Sequence, residues 1–286
     1  MIKKLNKSLL VIFLCLLSAC ASTNSGRDEE SSVTDAGDKV SVNDGSRNMK
    51  ERTSQVTALG DANYKNAPNK LAAAIKAQND DAIMQSATEV LTQNPKDVTA
   101  LNALAMVHFK RGRNEAAEYL LNKALQITQS KSELYNNLGL VKLAKGENRE
   151  AVALFRKGLQ VNGSDVAIGA NLGALYVKEK DYSKAELALE IPYKKGVKDP
   201  KVINNYAVAL TGSGNISKAS DVYSKAIKDY PSQRDIMLNY AILLIDHQQK
   251  YREGLDLLNR LKFVGTPSES RNLINDLESK AKAGLN

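Results

Sequence analysis

The sequence predicts an all-α superhelical solenoid built from helix–turn–helix units. Three observations predict it. The 286-residue chain is self-similar at a step of 34 residues from residue 98 onward. Small residues and large apolar residues recur in fixed columns of that period, the pattern of helices that approach closely and stack. The composition, 43% apolar with only 6 Pro and 17 Gly, supplies a core and argues against a disordered or fibrous chain.

From the N-terminus, MIKKLNK is a basic region and SLLVIFLCLLSA an apolar stretch too short to span a bilayer. The stretch ends in Leu17-Ser18-Ala19-Cys20, which resembles a bacterial lipobox. Residues 1–19 are then a lipoprotein signal peptide. The resemblance implies that the Cys20 thiol carries a diacylglyceryl group and that Cys20 becomes the new N-terminus. Two or three acyl chains give a stable anchor that does not span the membrane. Ala21 and Ser22 follow, and in the Gram-negative pattern this pair implies the outer membrane, on its periplasmic face. Cys15 lies inside the leader and is discarded with it.

Residues 20–62 form the lipidated Cys and a tether rich in Ser, Asp, Asn and Gly, with no helical apolar period. Its composition reads as disordered. A coil of that length has a reach of roughly 35 Å, enough to hold a folded part off the lipid surface.

Residues 63–267 read as about six repeats. Counting from residue 98, the seventh position is Leu104, Leu138, Leu172, Tyr206 and Tyr240. The eighth is Ala105, Gly139, Gly173, Ala207 and Ala241. The twentieth is Ala117, Ala151, Ala185 and Ala219, and the twenty-fourth Leu121, Phe155, Leu189 and Tyr223. Gly112, Gly146 and Gly214 share the fifteenth position, where an αL residue ends a first helix. A late Pro survives as Pro231. These columns resemble the tetratricopeptide repeat, which implies two antiparallel helices per unit. The small eighth and twentieth residues would let the helices approach, and the large residues would fill the space between units. A degenerate first unit precedes residue 98, with Ile83, Ala87, Val90, Leu91 and Pro95 in phase. Two units depart from the pattern. Pro192 falls inside a second helix and is expected to kink or shorten it. The last unit slips by one residue around HQQKYREG, and Gly254 takes the place of the small residue.

Residues 268–286 read as a capping helix and tail. Thr266 as N-cap, Pro267 at the first helical position and Glu269 at the third match a capping box, with Leu273, Ile274 and Leu277 on one face.

Function is narrowed mainly by exclusion. The net charge of +8 includes three lysines in the first seven residues, and aromatics are only 5% with no Trp, so no nucleic-acid platform is expected. Two cysteines and two histidines build neither a disulfide framework nor a zinc site. No P-loop, nucleophile elbow, H-E-x-x-H or dinucleotide fingerprint is present. The chain reads as a non-enzyme without cofactor or metal. His108, at an eleventh position that usually carries an aromatic, reads as a packed helix residue.

One column points to binding. The sixth position is Asn137, Asn171, Asn205 and Asn239 in four consecutive units, after Ala103 in the first. The resemblance implies that first helices line a concave groove and that this position faces it. An Asn amide both donates and accepts, so it can grip an extended peptide backbone. The row resembles the asparagine ladder of peptide-binding members of the family. The other reading is that these amides bond locally to neighbouring helices. Asn102, Asn136 and Asn204 at the fifth position extend the polar strip. The ninth position is apolar: Met106, Leu140, Ala174, Val208 and Ile242.

Lipobox, tether and repeats together resemble the pilotin-type and pilus-assembly lipoproteins of type IV and tight-adherence pili, and the gliding-motility lipoproteins. That resemblance implies an outer-membrane scaffold that helps assemble an envelope machine. Its partners would be proteins or extended peptide segments, such as a secretin or pilus component. Two alternatives remain: an adaptor recruiting cell-wall hydrolases or synthases, and a component of outer-membrane protein assembly.

Overall fold

The computed structural model describes residues 66–286 apart from Pro267; the leader, Cys20 and the whole tether lie outside the described residues. The described chain is helical, with no strand. It falls into two compact units, 66–107 and 108–286.

In the first unit, α1 (residues 66–76) and α2 (Asp80–Gln93) pack with the start of α3 (Val98–Lys110). Their core is Ala67, Leu71, Ala74, Ile83, Ala87, Val90, Ala100 and Val107. The apolar residues recur at three- and four-residue spacing, so each helix buries one stripe.

The second unit takes up the end of α3 and continues with α4 (Asn114–Ile127). Then come the pairs α5 (Ser132–Ala144) with α6 (Asn148–Val161), α7 (Val166–Lys178) with α8 (Tyr182–Lys194), and α9 (Pro200–Gly212) with α10 (Ile216–Asp229). The next pair is α11 (Arg234–Ile242), extended by a π turn at Leu243–His247, with α12 (Tyr251–Val264); α13 (Arg271–Ala283) follows. From α4 on, each helix packs on the next in sequence, and α9 also touches α7 and α11.

The packing columns have a direct geometric cause. A Cβ on Gly139 would lie 2.5 Å from the Phe155 ring, and one on Gly173 would lie 2.3 Å from Leu189. The twenty-fourth residue therefore fills the space over the small eighth residue of its own unit, rather than only the space between units. Ala105, Ala117, Ala151, Ala185, Ala207, Ala219 and Ala241 are all fully buried. Contact between units is visible in the ring pairs Tyr193–Tyr206, with centroids 4.7 Å apart, and Tyr223–Tyr240, stacked at 5.4 Å.

First helices close in one way. In α5, Gly146 adopts φ +79°, and the Glu147 N–H donates to the Lys142 carbonyl, five residues back. The same five-residue bond closes α1, α3, α7 and α9. In α11 the equivalent bond runs from the Lys250 N–H to the Leu244 carbonyl and spans six. The π turn has absorbed one extra residue. This is the one-residue slip seen in the sequence, and it shifts the αL position to Gln249, at φ +56°.

One expectation is met in small measure and one needs correction. Pro192 shortens its helix by a single residue: α8 ends at Lys194 after 13 residues, where α4, α6, α10 and α12 have 14, because Pro192 falls in its last turn. Gly169 of α7 makes room: a Cβ there would meet the Ala188 carbonyl at 2.9 Å and the Pro192 ring at 3.0 Å. The helix then ends through Gly196 at φ +75°, with the Val197 N–H donating to the Pro192 carbonyl, as first helices do. The capping helix also starts later than the capping box implies. A 3₁₀ turn at Ser268–Ser270 comes first, and Ser270, without a side-chain cap bond, precedes Arg271. Tertiary packing sets that start, because Ile274, Leu277 and Ala281 must face the core shared with α11 and α12.

Candidate functional site

The four sixth-position asparagines sit one to each of α5, α7, α9 and α11. They are not uniformly exposed. Asn137 and Asn239 are buried, at 7% and 5% exposure, while Asn171 and Asn205 are partly exposed. The column is therefore part core and part surface.

The amides are also wired to one another. The Asn171 Nδ2 donates to the Asn136 Oδ1 at 2.9 Å, and the Asn136 Nδ2 donates to the Asn137 Oδ1 at 3.3 Å. Likewise the Asn239 Nδ2 donates to the Asn204 Oδ1 at 3.1 Å. Both long-range bonds join residues 35 apart, one more than the period, so a sixth-position amide reaches a fifth-position amide of the preceding unit. The rule depends on the fifth position. Opposite Asn205 that position is Ala170, which has no side-chain acceptor. Among the described residues none is hydrogen-bonded to the Asn205 side chain. The Asn239 Oδ1 is buried without a partner.

The ninth-position row divides similarly. Val208 and Ile242 are buried, and Met106, Leu140 and Ala174 stay partly exposed.

Sequence reasoning missed a charged cluster on α4, α5 and α6. The Lys142 Nζ lies 2.7 Å from Glu118, 2.5 Å from Glu147 and 2.9 Å from Glu150. Lys145 reaches Glu118 at 2.7 Å and Glu147 at 3.2 Å. Hydrogen bonds that Lys142 donates to Glu118 and then to Glu147 raise its pKa well above the usual lysine range. The Lys142 hydrogen bond is the main reason that Glu147 is held down to about 2, and it also lowers Glu118. The available signal was Lys142 itself, a charge at the eleventh position, where the other units carry His108, Tyr176, Leu210 and Leu244. A second polar junction joins α8 to the next unit: the Ser213 hydroxyl donates to Glu186 at 2.6 Å, and Asn215 Nδ2 donates to it at 2.7 Å. Both clusters fasten neighbouring units together, the first through ion pairs and the second through neutral donors on one carboxylate.

His108 is partly exposed, and its Nδ1 is buried without a partner. Burial, then Arg113 and Arg111, push its pKa down, so the ring is neutral near pH 7. Among the described residues no group of three His, Cys, Asp or Glu side chains is placed to hold a metal, and no helix is long and apolar enough to cross a membrane.

The sequence profile of the tetratricopeptide repeat matches residues 98–164. No curated protein matches the chain by sequence. Solved structures match the fold. YrrB, a tetratricopeptide-repeat protein with an unusual peptide-binding site, aligns at 19% identity over 69% of this chain and 97% of its own, with a TM-score of 0.60. MamA from Desulfovibrio magneticus RS-1 aligns at 17% identity over 58% of this chain and 94% of its own, with a TM-score of 0.53. PilF from Pseudomonas aeruginosa aligns at 19% identity over 66% of this chain and 90% of its own, with a TM-score of 0.51. With the 34-residue columns and the repeated helix closures, these likenesses make the fold an all-α tetratricopeptide-repeat solenoid.

Proposed function

We propose that this chain is a lipid-anchored protein-binding scaffold on the periplasmic face of the outer membrane, where it assists the assembly of an envelope machine in the manner of a pilotin. The observation that carries the binding part is the row of asparagine amides on α5, α7, α9 and α11. Amides on successive first helices offer donors and acceptors at a repeating interval, which suits an extended segment of another protein. The peptide-binding site of YrrB is a property of that protein, and its likeness to this chain extends to the fold. The likeness to PilF likewise carries the fold, and the pilotin-like role rests on the lipobox, the tether and the repeats taken together.

The anchor rests on Leu17-Ser18-Ala19-Cys20 after a basic and then apolar leader. Metabolic labelling with a fatty acid tests it. The wild-type protein takes up label and fractionates with the outer membrane; Cys20→Ser does neither and accumulates as precursor. Undiminished labelling of Cys20→Ser refutes the anchor. For the scaffold, the test is capture of secretin or pilus components from solubilised membranes by wild type and by the Asn171→Ala/Asn205→Ala double variant. Equal capture by a folded double variant places binding elsewhere on the solenoid.

A further inference from the structure

The exposed faces of α4, α6 and α8 differ from those of α10 and α12. Counting from residue 98, the twenty-second position of the repeat is Tyr119, Ala153 and Leu187 on the first three helices. It is Asp221 on α10 and, after the one-residue slip, Asp256 on α12. All five residues are exposed, Tyr119 and Leu187 at 67% and 70%.

Cations accompany the apolar row because the acids of the same helices are drawn away. The Lys142 Nζ holds Glu118 of α4 at 2.7 Å and Glu150 of α6 at 2.9 Å, which also sets those two helices side by side. On α8, Glu186 accepts from Ser213 and Asn215, and Glu190 pairs with Lys218 of α10 at 3.3 Å. Glu115, one turn before Tyr119, is the one acid on α4, α6 or α8 without a partner among the described residues. The outer face of α6 is left with Arg149, Arg156 and Lys157, all exposed. None of the three has an ion-pair partner among the described residues. Arg156 also lies close to Lys184 of α8. A hydrogen bond to Asp181 raises the Lys184 pKa, and the Arg156 charge opposes that rise. Two cations therefore face each other across the unit boundary.

We infer that the outer face of α4, α6 and α8 docks on an anionic phospholipid surface. The inference rests on the anchor proposed above, which keeps the solenoid within reach of lipid. Arg149, Arg156 and Lys157 meet headgroup phosphates, and each guanidinium can donate to two phosphate oxygens at once. Tyr119 and Leu187 enter at headgroup level, the Tyr with its hydroxyl toward water. Side chains that stand out from a helical face suit a soft layer, whereas a protein partner needs a pocket for each. Asp221 and Asp256 end the row, since phosphates repel a carboxylate. The buried stripe of α6, with Ala151, Phe155 and Gly158, lies on the side away from the exposed cations, and α6 packs on α5. Docking therefore leaves the first helices and their asparagines directed away from the lipid.

The test uses the full lipidated chain, which has no Trp of its own. Leu187→Trp reports on the face, and Asp221→Trp serves as a reporter outside it. Each is reconstituted in vesicles of brominated phosphatidylcholine, with or without an equal share of brominated phosphatidylglycerol, and urea melts check folding. Leu187→Trp is quenched in the anionic vesicles and far less in the neutral ones, and Asp221→Trp is quenched in neither. Salt at about 1 M, where the Debye length is about 3 Å, relieves the quenching. Adding Arg156→Gln/Lys157→Gln lowers the ratio of docked to free solenoid about thirtyfold, about fivefold for each charge. A Leu187→Trp reporter left unquenched on a chain that still floats with the vesicles overturns the docking face and leaves the anchor in place. Quenching that is equal in both vesicles, or that Arg156→Gln/Lys157→Gln does not relieve, also overturns it. Emission that shifts with polyglutamate but not with anionic vesicles assigns the face to an acidic protein and overturns the inference. A chain without acyl groups that floats with neither vesicle overturns the docking face and the anchor together.

Discussion

The unit of α5 and α6 and the unit of α11 and α12 fill the same columns in different ways. In the first, α5 closes regularly over five residues, with Gly146 in the αL turn and a charged cluster of Lys142, Lys145, Glu118 and Glu147 beside it. In the second, one extra residue is taken up by a π turn, the closing bond spans six residues, and Gln249 occupies the αL position. The glycine also changes sides. Gly139 on α5 accommodates Phe155 of α6, whereas Gly254 on α12 accommodates Ile245 of the π turn, 2.4 Å from where its Cβ would be. The wider turn displaces the end of α11, and the partner helix makes room by giving up its side chain. An insertion in a repeat is therefore tolerated when one helix bulges and its neighbour carries a glycine opposite the bulge.

The largest effect expected in this comparison is in the core. Phe155 is fully buried over Gly139, and Phe155→Ala costs about 3–5 kcal/mol. Leu258, its counterpart on α12, is equally buried, and Leu258→Ala costs about 2–5 kcal/mol. Urea melts measure both, and a Phe155→Ala midpoint equal to wild type would refute the register assigned to α6.

Next comes the close-contact column. Ala151 is fully buried, and Ala151→Leu overpacks the α5–α6 contact at a cost of about 1–3 kcal/mol. Lys157→Ala, on the exposed side of the same helix, stays within about 0.5 kcal/mol of wild type. Equal midpoints for the two variants would break the assignment of Ala151 to the contact.

The αL position yields changes of opposite sign in the two units. Gly146→Ala forces a side chain into φ +79° and destabilises by about 1 kcal/mol, whereas Gln249→Gly relieves the same strain and stabilises by up to about 1 kcal/mol. Thermal melts of the pair sharpen the comparison. Destabilisation by Gln249→Gly would show that the π turn, not the left-handed residue, holds that end.

The smallest effect is electrostatic and belongs to the α5–α6 unit. Glu118 and Glu147 have folded pKa values below their ordinary value, chiefly through the Lys142 hydrogen bond. A depressed carboxylate adds stability that is present above its unfolded pKa and is lost as pH falls through its folded pKa. Stability therefore declines from about pH 4.5 toward about pH 2 for Glu147. Solvent screening keeps the effect modest. Lys142→Met flattens the decline in melts taken across that range, and parallel curves for variant and wild type would remove the cluster from the pH response.

Much of the solenoid was legible because its signals are local. The αL glycines, the alanine and glycine columns and the one-residue slip all follow from spacing along the chain. The candidate site was legible in type and position but not in state. The Asn column is visible in the sequence, yet whether each amide is engaged depends on what the preceding unit places opposite it. Asn171 bonds Asn136, whereas the position 35 residues before Asn205 is Ala170, which carries no side-chain acceptor. Pro192 was legible as a residue that shortens its helix; how little it shortens it was not, because the space it needs is supplied by Gly169 on another helix.

By itself the sequence determined the repeat period, the helical class and the residues that must be small, since close helix approach and chain reversal impose those choices within each unit. Only the tertiary structure decided how the slip in the last unit is absorbed, where α13 begins, and which asparagines remain open. Those outcomes depend on which side chains meet across helices far apart in the chain, and burial and hydrogen bonding act on that meeting rather than on the order of residues.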